Sequence, residues 1–169
     1  TGHLVFSTLH TNNAAGAYTR LIDLGVNAKI LTSAIRIAIA QRLVRKLCDK
    51  CKKPVKLEGE NLTLLKSIFD PIVHKEVPWT ETIYEPVGCD LCNNTGYKGR
   101  VGIFEAVLSD SAVENTVENN PSEREIKKAA EPQGIADMAQ DGVMKILAGM
   151  TSIDELGRVV DLRNREGLS

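Results

Sequence analysis

The chain has 169 residues, 43% of them hydrophobic and 25% charged, and a net charge of −1. That content suffices for one domain or two small ones, while the near-neutral balance supplies no global attraction to nucleic acid or an anionic membrane. No apolar run approaches the about 20 residues of a membrane helix, so no membrane span is expected, and with 4% aromatic residues the core must be built from Leu, Ile, Val and Ala.

Leu4-Val5-Phe6-Ser7-Thr8-Leu9 is apolar and rich in β-forming residues, which predicts a buried strand. A buried strand needs backbone partners. The chain opens on Thr rather than Met, and its first residues do not read as a signal peptide. The expectation is therefore a piece of a larger, non-secreted fold. His10-Thr11-Asn12-Asn13 reads as a polar turn with helix-capping residues, Ala14 to Leu24 as a helix, and Gly25 as its stop. A second helix is predicted from about Ala28 to Leu47, where Ile30, Leu31, Ala34, Ile35, Ala38, Ile39, Leu43 and Leu47 recur at three- and four-residue intervals.

That segment runs directly into the strongest motif of the chain. All four cysteines fall in two matching pairs, Cys48-Asp-Lys-Cys51 and Cys89-Asp-Leu-Cys92. Two residues between thiols let one turn aim both sulfurs at one metal, and two such turns complete a tetrahedron, as in structural zinc sites. No thiol is spare and no coordination position stays open, so the pattern predicts a structural staple. Disulfides, a redox pair and an iron–sulfur cluster are weaker alternatives for a chain without secretory character. The insert from Lys52 to Gly88 exceeds the roughly 15–20 residues of a compact ribbon. Leu62, Leu65, Ile68 and Phe69 predict a short helix within it, and Pro54, Pro71, Pro78 and Pro86 interrupt the rest. His74 is an alternative ligand there, although the four cysteines already suffice.

Arg42, Arg45, Lys46, Lys50, Lys52, Lys53 and Lys56 form a basic cluster beside this motif. It admits an autonomous zinc-ribbon module that binds nucleic acid or protein. Without interleaved aromatics to stack bases, a solvated helix end is the preferred reading. Beyond Cys92, Thr95 to Arg100 reads as a glycine-rich turn and Val101 to Leu108 as a strand. No Gly-Lys-Ser/Thr follows the glycines, so they are not a phosphate loop. The remainder reads as helical, with capping-box candidates at Ser111/Glu114, Ser122/Glu125 and Ser152/Glu155. Ile126, Ala129, Ala130, Ile135, Met138, Val143, Leu147, Leu156 and Val159 are expected to form one small helical core.

His3, Ser7, Thr8, His10, Thr11 and Asn12 make the densest polar constellation. It reads either as a capped turn with one partly buried histidine or as a ligand-facing loop at a strand's carboxyl end. A Ser7–His10 hydrolase pair lacks an acid partner and a nucleophile elbow.

The same residues carry a resemblance. Thr1 to Asn12 resembles the His box of the secretion ATPases that drive type II secretion and type IV pilus assembly. Gln41 to Cys48 with Cys51 resembles the entry to that family's zinc module, and Gly96 to Glu105 its exit. Asp141 to Lys145 and Gly149 to Glu155 resemble its C-terminal helices. The cysteine pairs resemble the assembly and secretion branch rather than the retraction branch. The resemblance implies an α/β fold, namely the C-terminal part of a RecA-like P-loop ATPase core, with an inserted tetracysteine zinc lobe and an α-helical C-terminal subdomain. The implied divisions are 1–47, 48–99 and 100–169. It implies a cytoplasmic homo-hexameric motor that acts at inner-membrane platform and docking proteins and uses ATP and Mg²⁺. His3 and His10 would be its nucleotide-sensing residues, and Cys48, Cys51, Cys89 and Cys92 its Zn²⁺ ligands. The chain contains no Gly-x-x-x-x-Gly-Lys-Ser/Thr, so the piece alone is expected to be inactive.

Overall fold

A computed structural model describes residues 3–69 and 77–162. His74 lies outside the described residues, as do Thr1 and Gly2 of the His-box segment. The fold is mixed α/β. Helices α1 (Gly16–Asp23) and α2 (Ala28–Ala34) precede strand β1 (Ile37–Leu47). Then come β2 (Lys53–Lys56), α3 (Gly59–Phe69), β3 (Thr82–Glu85) and the long strand β4 (Tyr97–Leu108). Helices α4 (Ser111–Asn119), α5 (Glu123–Ala130), α6 (Met138–Leu147) and α7 (Ile153–Gly157) follow. β1 pairs with β4, and β2 pairs antiparallel with β3.

Two expectations fail near the start. Residues 3–11 form no helix or strand, and Leu4, Val5 and Phe6 are 78%, 77% and 87% exposed. A strand is held by a neighbour's amides and carbonyls, and among the described residues no ladder reaches this run. The helix expected over 28–47 is instead α2 followed by β1. Asn27 caps α2 by accepting from the Lys29 amide, and Ile35 then turns extended (φ −81°, ψ 128°). From Ile37 to Val44 burial alternates with period two, as a strand requires. Small Ala38 and Ala40 point inward, however, while Ile37, Ile39 and Leu43 are about half exposed or more. With apolar residues on both faces, the alternation is invisible in hydropathy and a helical period fits by default.

The chain divides into two compact units: residues 1–40 with 107–130, and residues 41–106 with 131–169. In the first, α1 packs on α2 and α5, and α4 packs on α2 and α5. Ala14, Ala15, Tyr18, Leu31, Val113, Val117 and Ile126 form its core, with Ala129 and Ala130 against it. The buried Tyr18 hydroxyl meets Ser109 Oγ at 2.9 Å, and burial raises its pKa above the ordinary value. In the second unit α6 packs on α3, α7 and β3. Its buried residues include Val44, Leu65, Ile68, Ile83, Ile103, Met138, Val143, Ile146 and Leu156. The single helical core expected from the sequence is thus two: Ile126 serves one unit and Met138 to Leu156 the other, while Ile135 is 40% exposed.

Helix ends follow local chemistry. Ser122 accepts from the Glu125 amide and Ser152 from the Glu155 amide, as expected. α4 is capped one residue earlier than expected, by Asp110 accepting from Val113 N. Asp137 and Gln140 form a reciprocal capping box on α6, a pairing that the Ser-based pattern did not include.

Gly142 fixes how closely α6 meets α7. A Cβ placed there would lie 2.3 Å from Leu156 Cδ1, and Leu156 is fully buried. Gly142→Ala is expected to destabilise the chain by about 1–3 kcal/mol through overpacking, despite alanine's better helix propensity. A lowered urea midpoint with an unchanged m-value would show it.

Candidate metal centre

The four cysteines converge because three pieces of backbone structure end at them. β1 delivers Cys48: the Leu47 amide donates to Met150 O (2.8 Å) and the Cys48 amide to Gly96 O (2.9 Å). The chain then folds back on itself, with the Cys51 and Lys52 amides donating to Cys48 O at 3.2 and 3.0 Å. The second turn repeats the device. Cys92 N and Asn94 N donate to Cys89 O at 3.1 and 2.9 Å, and Asn93 and Asn94 take positive φ to complete it. Between the turns, the β2–β3 ladder aligns Lys53 with Glu85 and Lys56 with Thr82. Leu57 N to Glu81 O continues it at 2.8 Å. That ladder closes the long insert at its base, with α3 held between its strands in sequence.

The sulfur geometry discriminates among the chemistries. Sγ–Sγ separations are 3.9 Å for Cys48–Cys89, 3.8 Å for Cys51–Cys92 and 3.7 Å for Cys89–Cys92, and all four lie within 4.8 Å of one another. A disulfide needs about 2.05 Å, and the four thiols are free. Metal–sulfur bonds of about 2.3 Å at a tetrahedral angle put sulfurs about 3.8 Å apart, which matches. Among the described residues this is the one cluster of His, Cys, Asp and Glu able to hold an ion.

Backbone amides are aimed at the sulfurs. Gly88 N donates to Cys51 Sγ (3.4 Å), while Cys89 N and Gly96 N donate to Cys92 Sγ (3.2 and 3.3 Å). Such outer contacts orient thiolate ligands and take up part of their charge. Burial pushes both thiols up. At Cys92 the amides of Cys89 and Gly96, with the neighbouring thiols of Cys89 and Cys51, outweigh it and bring the group down to about 6. At Cys51 burial prevails over the Gly88 amide and the group is pushed up to about 11. Both glycines are needed for these contacts. Gly88 (φ +125°) would drive a Cβ to 2.8 Å from Asn94 O, and Gly96 (φ +76°) to 2.5 Å from Pro86 Cβ.

A carboxylate clamp lies beside the centre, built on Glu155, for which the sequence predicts a capping role. Glu155, 4% exposed, accepts from the Arg45 amide (2.9 Å) and Nε (2.8 Å), from Arg45 Nη2, and from Arg158 Nη1 at 3.3 Å. The Arg45 guanidinium lies over the Tyr97 ring, 4.2 Å from its centroid. Burial would raise the Glu155 carboxyl, but the Arg45 hydrogen bonds and the Arg45 and Arg158 charges outweigh it and lower it. Four further cations of the basic cluster are also engaged. Arg42 donates to Val159 O, Lys46 and Lys52 flank Asp49, and Lys56 pairs with Glu58.

The histidines are placed differently. His3 and His10 are exposed and lie outside every helix and strand. A cavity of about 640 Å³ in the second unit is lined by Leu64, Ile153, Arg158 and Leu162 among others, and includes none of the cysteines or histidines singled out from the sequence.

A mixed α/β chain with a four-thiol centre between two Cys-x-x-Cys turns is the class these observations define. The sequence matches the Type II/IV secretion system protein family over residues 1–158, and the chain belongs to that family. It is 43% identical to the type IV pilus assembly ATPase PilB of Pseudomonas aeruginosa over 159 residues, which is 94% of this chain and 27% of that protein. It is 42% identical to the type IV pilus assembly ATPase TfpB of Acinetobacter baylyi over 162 residues, 96% of this chain and 27% of that protein. With the type II secretion system protein E of P. aeruginosa it shares 40% over 159 residues, 94% of this chain and 30% of that protein. The chain therefore spans less than a third of the relatives it matches.

Two outcomes are expected. Cys89→Ser removes one of four donors and should abolish tight Co²⁺ binding, read as loss of the thiolate charge-transfer absorption, with loosening of the 48–92 module. Glu155→Gln should cost about 1.5–3 kcal/mol at neutral pH. Because folding lowers the Glu155 pKa, its contribution is complete above the unfolded value of about 4.3 and is lost as pH falls through the folded value. The stability gap between wild type and variant in urea titrations should therefore close on acidification.

Proposed function

We propose that the chain is the C-terminal part of a cytoplasmic, homo-hexameric P-loop motor that hydrolyses ATP to power type IV pilus assembly or type II secretion. The observation that carries this is the family match over residues 1–158, joined to relatives that are pilus-assembly ATPases and secretion proteins. In this reading residues 1–47 are the end of a RecA-like core with the His box. Residues 48–99 are an inserted zinc module, and 100–169 are the returning strand and helical subdomain. Cys48, Cys51, Cys89 and Cys92 hold Zn²⁺, whose chemistry is structural: four thiolates leave it no open position.

ATP and Mg²⁺ belong to the whole motor. This sequence has no phosphate loop, so the preorganised charges that stabilise a transferring phosphoryl group are not supplied by the chain. His3 and His10 serve as nucleotide sensors, hydrogen-bonding a terminal phosphate or its water once the rest of the motor is assembled. The working partners are further copies of the motor and the inner-membrane platform and docking proteins of the machine. No described helix is long and apolar enough to cross a membrane. The nucleic-acid reading is disfavoured, because Arg42, Arg45, Lys46, Lys52 and Lys56 are engaged within the chain.

The isolated chain is expected to hydrolyse no ATP above a contaminant control. In the full-length motor, His10→Ala should lower ATPase turnover while leaving the zinc content unchanged. Turnover by the isolated chain, or normal turnover in the full-length variant, would contradict the respective assignment.

A further inference from the structure

The loop joining α6 to α7 is tied to the residues that flank the cysteine turns. Gly149, at φ +68°, ends α6, its amide donating to Ile146 O (2.9 Å) and that of Met150 to Lys145 O (2.9 Å). From there four successive residues reach the chain beside the cysteines. Gly149 O accepts from Lys52 Nζ at 3.0 Å, next to Cys51. Met150 O accepts from the Leu47 amide, next to Cys48. Thr151, fully buried, donates its hydroxyl to Arg45 O at 2.9 Å. Ser152 Oγ meets Tyr97 OH at 2.7 Å, and Tyr97 follows Gly96, the residue whose amide reaches Cys92 Sγ. The β3 arm joins in as well: the Tyr84 ring lies 4.8 Å below Lys52 Nζ and packs so closely on Gly149 that a Cβ there would come within 2.9 Å of it.

We propose that metal occupancy of the four-thiol site and the order of the Gly149–Ser152 loop, with α7 behind it, are thermodynamically linked, so that loss of the metal loosens the α6–α7 segment. The inference rests on the metal reading of the cysteines. Its physical basis is that each partner of the loop sits within a few residues of a ligand or of a glycine amide aimed at a ligand. A metal that fixes the two cysteine turns thereby fixes the acceptors and donors the loop needs. Linkage is reciprocal: whatever factor the metal contributes to ordering the loop, the loop contributes to metal affinity.

The test uses the whole chain. Hydrogen exchange is followed with one equivalent of Zn²⁺ and after chelation, and zinc affinity is measured by competition with a chromophoric chelator. Removal of zinc should speed amide exchange in 147–157 about tenfold or more, while α4 and α5 keep their protection. Thr151→Val, which removes one tie to the loop, should weaken zinc binding about fivefold or more; Lys52→Met, which removes a second tie together with the ion pair to Asp49 in the first cysteine turn, should weaken it at least as much. Lys56→Met, which removes a charge paired only with exposed Glu58, should leave it unchanged. Unaltered exchange at 147–157 in metal-free protein overturns the link, as does uniform loss of protection throughout the chain. So does an affinity loss in Lys56→Met equal to that in Lys52→Met, or none in Thr151→Val. A chain that takes up no zinc overturns the metal reading together with the link, whereas zinc uptake with an indifferent loop overturns the link alone.

Discussion

Four sulfur atoms from two turns far apart in sequence must meet within a sphere a few ångströms across, and much of the second unit is arranged to meet that demand. Sulfur separations of 3.7–3.9 Å hold only if β1 ends where β4 begins and if the insert between the pairs is closed at its base. The Cys48–Gly96 backbone bond does the first and the β2–β3 ladder the second. Gly88 and Gly96 are consequences of the same demand: each lets an amide reach a sulfur where any side chain would collide with backbone or proline. Structural zinc contributes on the order of 10 kcal/mol or more, comparable to the stability of an entire domain. A metal bound at the four thiols would thus suffice to hold an insert whose own strands are four residues each.

The helical part of the second unit is built onto this frame. Asp141 accepts from the Phe104 amide and pairs with Lys145, Gly142 admits Leu156, and Glu155 takes the Arg45 amide and guanidinium. The motifs of residues 141–155 that resemble the secretion ATPases are thus joints between helices and strands. His3 and His10, the nucleotide sensors of the proposed reading, are exposed and lie outside every helix and strand.

How far the sequence revealed this differs by feature. The metal cluster was legible because Cys-x-x-Cys spacing is a local constraint that survives any fold around it. Helix α3 was legible because Leu65 and Ile68 face a core at helical spacing. β1 was not, since Ala38 and Ala40 face inward and Ile37, Ile39 and Leu43 outward, reversing the hydropathy signal that identifies a half-buried strand. The run 4–9 has strand propensity without a ladder, which propensity cannot supply. The Glu155 clamp is hidden for another reason: its partner lies at Arg45, far away in sequence, and Ser152-x-x-Glu155 by itself satisfies a local capping pattern. Only the hydroxyl half of that box forms; the carboxylate is engaged by Arg45.

The central claim is that Cys48, Cys51, Cys89 and Cys92 together hold one metal ion as a structural tetrathiolate. X-ray absorption at the zinc edge, combined with elemental analysis of the folded chain, addresses it most directly. The account requires one zinc per chain with four sulfur neighbours at about 2.3 Å and no nitrogen or oxygen in the inner shell. Well-folded protein without metal, or a zinc shell containing nitrogen or oxygen donors, would contradict it.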